Sequence, residues 1–245
     1  MIKKYFIILF LILLLPSICL SWGTAVVGSG SQSIAPSFCD CGATDVLWCW
    51  EVTNTNTTIT ASGGCADAGW DTTGTAASAI NIVDAPTGKT GSAVHWSSAQ
   101  DYYSFSLPTG TIDSEGTVVF DIYLISFASS TLFFWAFGNS NVDELAISLT
   151  GTDEIYFAHY GNSNSVLTTT TAANLVLDTW YTITVKWRQG VTDPSLSINA
   201  NSTTITSNTD LTNWEADSTG MRIGNSASGI SEGYIKNIRI YSSWQ

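Results

Sequence analysis

The sequence predicts an all-β chain folded as a two-sheet antiparallel β-sandwich, and three observations carry that prediction. Apolar residues alternate at period two in run after run, which is the strand signature. Clusters of Gly, Ser, Thr and Asn interrupt these runs every few residues, where turns belong. No segment after residue 22 has a helical period. Alternation with one polar side belongs to antiparallel sheets that keep one face in water, and about a dozen such runs need two packed sheets.

In chain order, Met1-Ile2-Lys3-Lys4 brings two positive charges, and Tyr5–Leu15 follows as an apolar run of eleven residues. Pro16, Ser17, Cys19 and Ser21 then bring a break and small residues. That order predicts an export signal over residues 1–21, cut between Ser21 and Trp22. Eleven residues fall short of the roughly 20 that span a bilayer, so no membrane insertion is expected after signal removal. An uncleaved anchor and lipidation of Cys19 are the competing readings. Against lipidation, Ile18 is not the small residue that bacterial lipoprotein signals usually place before the cysteine. Residues 22–44 have no strand pattern and are expected to form an irregular arm. The sandwich domain is expected over 45–245, with no linker and no internal repeat.

Beyond the signal the cysteines are Cys39, Cys41, Cys49 and Cys65. An even number in an exported chain predicts two disulfides. Zinc is the alternative, but Cys-x-Cys followed by two long gaps does not match a paired CxxC spacing, and no histidine is near. Cys39 and Cys41 are too close to pair with each other comfortably, so each is expected to join Cys49 or Cys65.

The expected strands are Val46–Glu51, Ala79–Val83, Ala93–Trp96, Tyr102–Leu107, Thr117–Leu124, Leu132–Phe137, Leu145–Leu149, Glu154–His159, Val166–Thr170, Thr179–Trp187, Ser195–Asn199, Met221–Gly224 and Tyr234–Tyr241. Thr117–Leu124 is the clearest: Val118, Phe120, Ile122 and Leu124 share one face, and Val119, Asp121 and Tyr123 the other. Thr179–Trp187 repeats it, with Tyr181, Ile183, Val185 and Trp187 opposite Thr182, Thr184 and Lys186. Phe133-Phe134-Trp135 is apolar on both faces, which predicts a strand in mid-sheet.

The order of these signals resembles the concanavalin A-like lectin/glucanase superfamily, in its laminin-G-like jelly-roll form. The resemblance rests on Glu115–Phe120, Asp178–Val185, Met221–Asn225 and Gly233–Tyr241, and extends from about Asp45 to Trp244. It implies a jelly roll. It also implies an acid after the Tyr-Ile pair of the closing strand, where calcium-binding members hold the ion. Here that residue is Lys236, a donor that cannot ligate a cation. No cofactor is required by any motif, and calcium elsewhere would need scattered acids such as Asp71 or Asp101.

Removing Lys3 and Lys4 from eight basic residues leaves six against twenty acidic ones, a net charge of −14. Such a surface repels nucleic acid and anionic lipid. The superfamily's glucanases carry three alternating acids on one strand, and no stretch here does. Asp143-Glu144 and Asp153-Glu154 follow turn residues and read as loop acids. His95 and His159 each lie in an aromatic run and read as packing or hydrogen-bonded residues. No nucleophile elbow or phosphate loop is present. Asn56-Thr57-Thr58 and Asn201-Ser202-Thr203 match the glycosylation sequon, and chance produces such matches in a chain rich in Asn and Thr.

The expected function is therefore a non-catalytic, lectin-like module, secreted or on a cell surface (periplasmic in some hosts), whose partner is a glycan or glycoprotein surface. A passive part of a surface layer, fibre or particle is one alternative, and a glycoside hydrolase or lyase with an unrecognised site is the other. The expected ligand residues lie on outward faces: Tyr123 offers a ring to stack on a sugar, and Asp121 and Lys186 offer hydrogen bonds. The competing reading is a cross-strand ion pair between Asp121 and Lys186 with Tyr123 beside it.

Overall fold

Ten consecutive residues, Glu115–Leu124, form the central strand, and their alternation sets the architecture. Val118, Phe120, Ile122 and Leu124 are buried at 0–1% exposure, while Val119 and Tyr123 on the opposite side are half-buried. The computed structural model describes residues 39, 45–52, 64–66, 70–107, 114–127, 131–138, 144–149, 154–160, 166–172, 175–190, 194–200, 202–207, 218–225, 229 and 231–245. The expected signal (1–21), the arm (22–44, apart from Cys39) and Cys41 lie outside them, as do Asp143, Asp153 and both sequon asparagines.

The strands in order are β1 (Val46–Trp50), β2 (Cys65–Ala66), β3 (Thr75–Ala77), β4 (Asn81–Asp84), β5 (Ser92–Trp96), β6 (Asp101–Ser106), β7 (Glu115–Leu124), β8 (Thr131–Gly138), β9 (Glu144–Leu149), β10 (Glu154–Tyr160), β11 (Val166–Ala172), β12 (Trp180–Arg188), β13 (Leu196–Ala200), β14 (Thr203–Ser207), β15 (Ser218–Asn225) and β16 (Gly233–Tyr241). Among the described residues there is no helix, so none is long and apolar enough to cross a membrane. Among the described residues one sheet has nine strands in the order β14-β13-β12-β7-β16-β1-β2, with β5 beside β16 and β4 beside β5. The other has seven, in the order β11-β10-β9-β8-β15-β6-β3. All pairings are antiparallel. The chain is thus a two-sheet antiparallel β-sandwich.

Aromatic side chains join the two sheets. Trp48 and Trp50 of β1 meet Phe105 and Tyr103 of β6 edge to face, at 5.2 Å for Trp48–Phe105 and 5.8 Å for Trp50–Tyr103. Such pairs add about 0.5–1.5 kcal/mol each beyond the area they bury. Trp187 of β12 stacks on Phe157 of β10 at 6.5 Å. The Trp187 ring lies over Gly116, where a Cβ would sit 2.4 Å from it.

The run Phe133-Phe134-Trp135 falls on β8, which lies between β9 and β15 in mid-sheet, as its two apolar faces require. Several bounds differ from expectation. Residues Ser78 and Ala79 form a turn, with Ser78 at φ 56°, so the strand expected from Ala79 begins at Asn81. The strand expected from Thr179 begins at Trp180, after Asp178 at φ 59°. Glu144 and Glu154 are the first residues of β9 and β10, not loop acids. Strands β2, β3 and β14 had no apolar alternation to reveal them: Cys65-Ala66, Thr75-Ala76-Ala77 and Thr203–Ser207 are short, small or rich in threonine.

Cys39 is disulfide-bonded to Cys49 of β1. Cys65 also sits in a disulfide, with its partner outside the described residues. Both observations agree with oxidised cysteines rather than a zinc site.

Candidate functional site

Four aromatic rings cross the outer face of the nine-stranded sheet in one transverse row. Trp180 of β12 pairs with Tyr123 of β7, Tyr123 with Tyr234 of β16, and Tyr234 with His95 of β5. Strand spacing alone puts directly opposed residues about 5 Å apart, and the rings follow it. Centroids are 5.4 Å apart for Trp180–Tyr123, 5.9 Å for Tyr123–Tyr234 and 4.6 Å for Tyr234–His95. Asn81 of β4, opposite His95, extends the row by one exposed polar residue.

The rings do not share a plane. His95 stacks on Tyr234 at 25°, Tyr234 meets Tyr123 edge-on at 79°, and Tyr123 tilts 53° from Trp180. All four are half-buried. Three of them are fixed at the rim by a polar neighbour. The Tyr123 hydroxyl donates to Asp178 Oδ1 at 3.3 Å, His95 Nε2 lies 3.1 Å from Glu232 Oε1, and Trp180 Nε1 donates to the Pro86 carbonyl at 3.3 Å. Burial, then Asp178, pushes the Tyr123 phenol up. Burial, then Glu232, does the same for Tyr234. Both stay neutral donors throughout the physiological range.

Beside this row the outer face is roofed. The loop 85–91 between β4 and β5 folds over it: Lys89 Nζ lies 3.0 Å from Asp121 Oδ2, and Lys236 Nζ donates to the Thr90 carbonyl at 2.6 Å. Gly88 and Gly91, both at positive φ, let this loop turn close to Trp180 and Lys236. Asp121 also accepts from Thr182 Oγ1 at 2.5 Å and Asn237 Nδ2 at 2.7 Å. Asn237 reaches it through a bulge in β16, at φ 53°. Burial lowers the Lys236 ammonium's pKa, against the opposing pull of Asp121 and Glu51.

The expected ligand residues therefore separate. Tyr123 stands in the aromatic row. Asp121, two residues away on the same face, is 5% exposed, with its carboxylate committed to Lys89, Thr182 and Asn237. Lys186 lies opposite Thr117 rather than Asp121, bonds the Gln245 carbonyl and sits 5.9 Å from the Trp244 ring centroid. The competing reading, an Asp121–Lys186 ion pair, is not formed, because Thr182 occupies the position across from Asp121. Sequence reading missed Trp180, Tyr234 and His95 as members of the site. Their side parity was readable, but the register that aligns them across four strands was not.

His95 is hydrogen-bonded and stacked, as its aromatic run suggested; the side chain of His159 on β10 lies outside the described residues. Among the described residues no group of three or more His, Cys, Asp or Glu could hold a metal. Asp71 accepts the Thr73 and Ser106 N–H groups at 2.9 and 3.3 Å. Asp101, fully buried, accepts the N–H groups of Ala79, Ser97 and Ser98 and the Ser98 hydroxyl. Burial raises the Asp101 pKa, but hydrogen bonds from Ser97, Ala79, Ser98 and Ser78 outweigh it and hold the carboxyl below its ordinary value.

Neither a protein-family model nor a curated protein sequence matches the chain. Solved structures do. Domain 4 of AbnA, a GH43 extracellular arabinanase from Geobacillus stearothermophilus in complex with arabinotriose, aligns at TM-score 0.57 and 15% identity over 81% of this chain and 94% of that one. The binding domain of Paraclostridial Mosquitocidal Protein 1 aligns at TM-score 0.58 and 12% identity over 82% of this chain and 49% of that one. The botulinum neurotoxin serotype D binding domain aligns at TM-score 0.56 and 10% identity over 82% and 48%. This chain thus spans about half the length of the two toxin domains. At these identities the likeness is one of fold, and the fold they share with this chain is the β-sandwich.

Proposed function

We propose that this chain is a secreted or cell-surface, non-catalytic carbohydrate-binding module whose contact surface is the row Trp180–Tyr123–Tyr234–His95. The observation that carries the reading is the row itself: four half-buried rings aligned across four strands, with polar groups at their rims. Rings offer their faces to the C–H side of a sugar, and Asp178, Glu232 and Asn81 stand where hydroxyls would need partners. Because neighbouring rings tilt by 53° and 79°, the row suits a twisted or branched glycan rather than a flat ribbon. The arabinanase domain solved with arabinotriose supports the ligand class. The lysine-led apolar N-terminus and the Cys39–Cys49 disulfide support export. In this reading the protein needs no cofactor and performs no hydrolysis.

A glycan array that includes arabino-oligosaccharides tests it. The bound glycan should lose at least about tenfold in affinity, or 1.4 kcal/mol, in Trp180→Ala and in Tyr123→Ala, with little change in melting temperature. An array without binders, or affinity that survives both substitutions, would overturn the proposal. So would glycan turnover abolished by a single Asp or Glu substitution.

A further inference from the structure

The outer face of the seven-stranded sheet carries a depression of about 280 Å³ between β3, β6 and β15. It has no part in the aromatic row, which lies on the other sheet. Tyr103 and Phe105 of β6 face the core, so Tyr102, Ser104 and Ser106 face outward, and Arg222 of β15 stands directly across from Ser104. The Arg222 guanidinium lies 4.5 Å over the Tyr102 ring, which fixes its plane. The Asp71 carboxylate lines the same space, held by the Thr73 and Ser106 N–H groups. Thr75 and Thr219 add hydroxyls. Gly74 allows the chain to enter β3 close over Phe105, since a Cβ there would sit 2.6 Å from the ring.

Charge and size narrow what such a space accepts. A guanidinium only donates, a carboxylate only accepts, and hydroxyls do both. One cation and one anion leave the lining without net charge. A carboxylated ligand would meet Asp71 and the protein's formal charge of −12, and a cationic one would meet Arg222. Arg222 is also singular. Of the six basic residues beyond Lys4, the other five (Lys89, Lys186, Arg188, Lys236 and Arg239) lie on the nine-stranded sheet or its roofing loop. The volume sits near the lower end of small-molecule sites, roughly 300 Å³, which suits one ring rather than a chain.

We infer that this depression is a second ligand site, taking a single neutral sugar residue, so that the module is bivalent with its two sites on opposite outer faces. The inference rests on the carbohydrate reading for its ligand class and not for its location.

Saturation-transfer NMR on the full chain tests it, with L-arabinose, D-xylose, D-galactose and D-glucose as probes and D-glucuronate and D-glucosamine as charged controls. At least one neutral monosaccharide should bind. Its affinity should fall at least tenfold in Arg222→Gln and in Thr75→Trp, and stay unchanged in Trp180→Ala. Thr75 lies exposed on an edge strand, so Thr75→Trp fills the depression without entering the core and decides the matter if Arg222→Gln does not fold. The inference is overturned if none of the four sugars binds, if binding persists in Thr75→Trp, or if a charged control is preferred. Monosaccharide binding lost only in Trp180→Ala would also overturn it while leaving the aromatic row standing. Monosaccharide binding lost in Thr75→Trp, beside glycan binding indifferent to Trp180→Ala, would break the aromatic reading and keep this one.

Discussion

Tyr123 and Asp121 lie two residues apart on β7 and point to the same side of the sheet, yet one is half-buried in an open row and the other is 5% exposed beneath a loop. The difference comes from what crosses each row. Around Tyr123 the cross-strand neighbours are rings, and the 85–91 loop reaches the row at Trp180, through the Pro86 carbonyl. Around Asp121 the same loop brings Lys89 and Thr90 down onto the face. Alternation in a strand fixes which side a residue takes; whether that side meets water depends on connections from elsewhere in the chain.

The largest test of this contrast is Asp121→Ala. It leaves Lys89, Thr182 and Asn237 without their shared acceptor beside the buried Lys236, and should cost about 3 kcal/mol in urea unfolding. A loss below about 1 kcal/mol would mean that the roofed row is as solvated as its neighbour. Lys89→Met removes only a third-exposed partner from the pair and should cost about 1 kcal/mol or less, with glycan affinity at the aromatic row retained.

Asp101 extends the contrast to a buried carboxylate held by N–H groups and a hydroxyl rather than a cation. Its folded pKa is lowered, so its contribution is complete above the ordinary aspartate value of 3.8 and is lost as pH falls through the folded value. Asp101→Asn should flatten the acid limb of the stability profile measured between about pH 5 and pH 2; an unchanged slope would show that other carboxylates set it. The smallest effect is expected for Lys186→Ala, which loses an exposed bond to the Gln245 carbonyl and a 5.9 Å contact with Trp244. Stability should change by less than about 0.5 kcal/mol, and binding at the row should not change.

Much of this was legible in the sequence. Period-two alternation located thirteen of the sixteen strands among the described residues, because burial of Val118, Phe120, Ile122 and Leu124 against a second sheet demands it. It also gave the outward side of Tyr123. It could not reveal β3 or β14, whose residues are too small or too polar to mark a buried face, nor β2, which is two residues long. Nor could it show that His95, Tyr234, Tyr123 and Trp180 form one row, since that depends on registers between strands far apart in sequence. The roof over Asp121 was hidden for a related reason: Pro86–Gly91 reads only as a turn, and nothing local says where a turn lands.

The Cys39–Cys49 bond has a mechanical consequence. Strand β1 runs antiparallel to β16, with Asp45 accepting the Ser242 N–H at 2.8 Å and rungs from Val46–Tyr241 to Trp50–Ile238. A pull on the two ends of a reduced chain would load this ladder at its open end and part the rungs one after another, like a zipper. In the oxidised chain, tension arriving from the N-terminal side passes through the disulfide and enters β1 at Cys49, opposite Arg239. The rungs between Cys49 and Ser242 then share the load. Single-molecule stretching should therefore find a slower forced unfolding rate for the oxidised chain than for the reduced one.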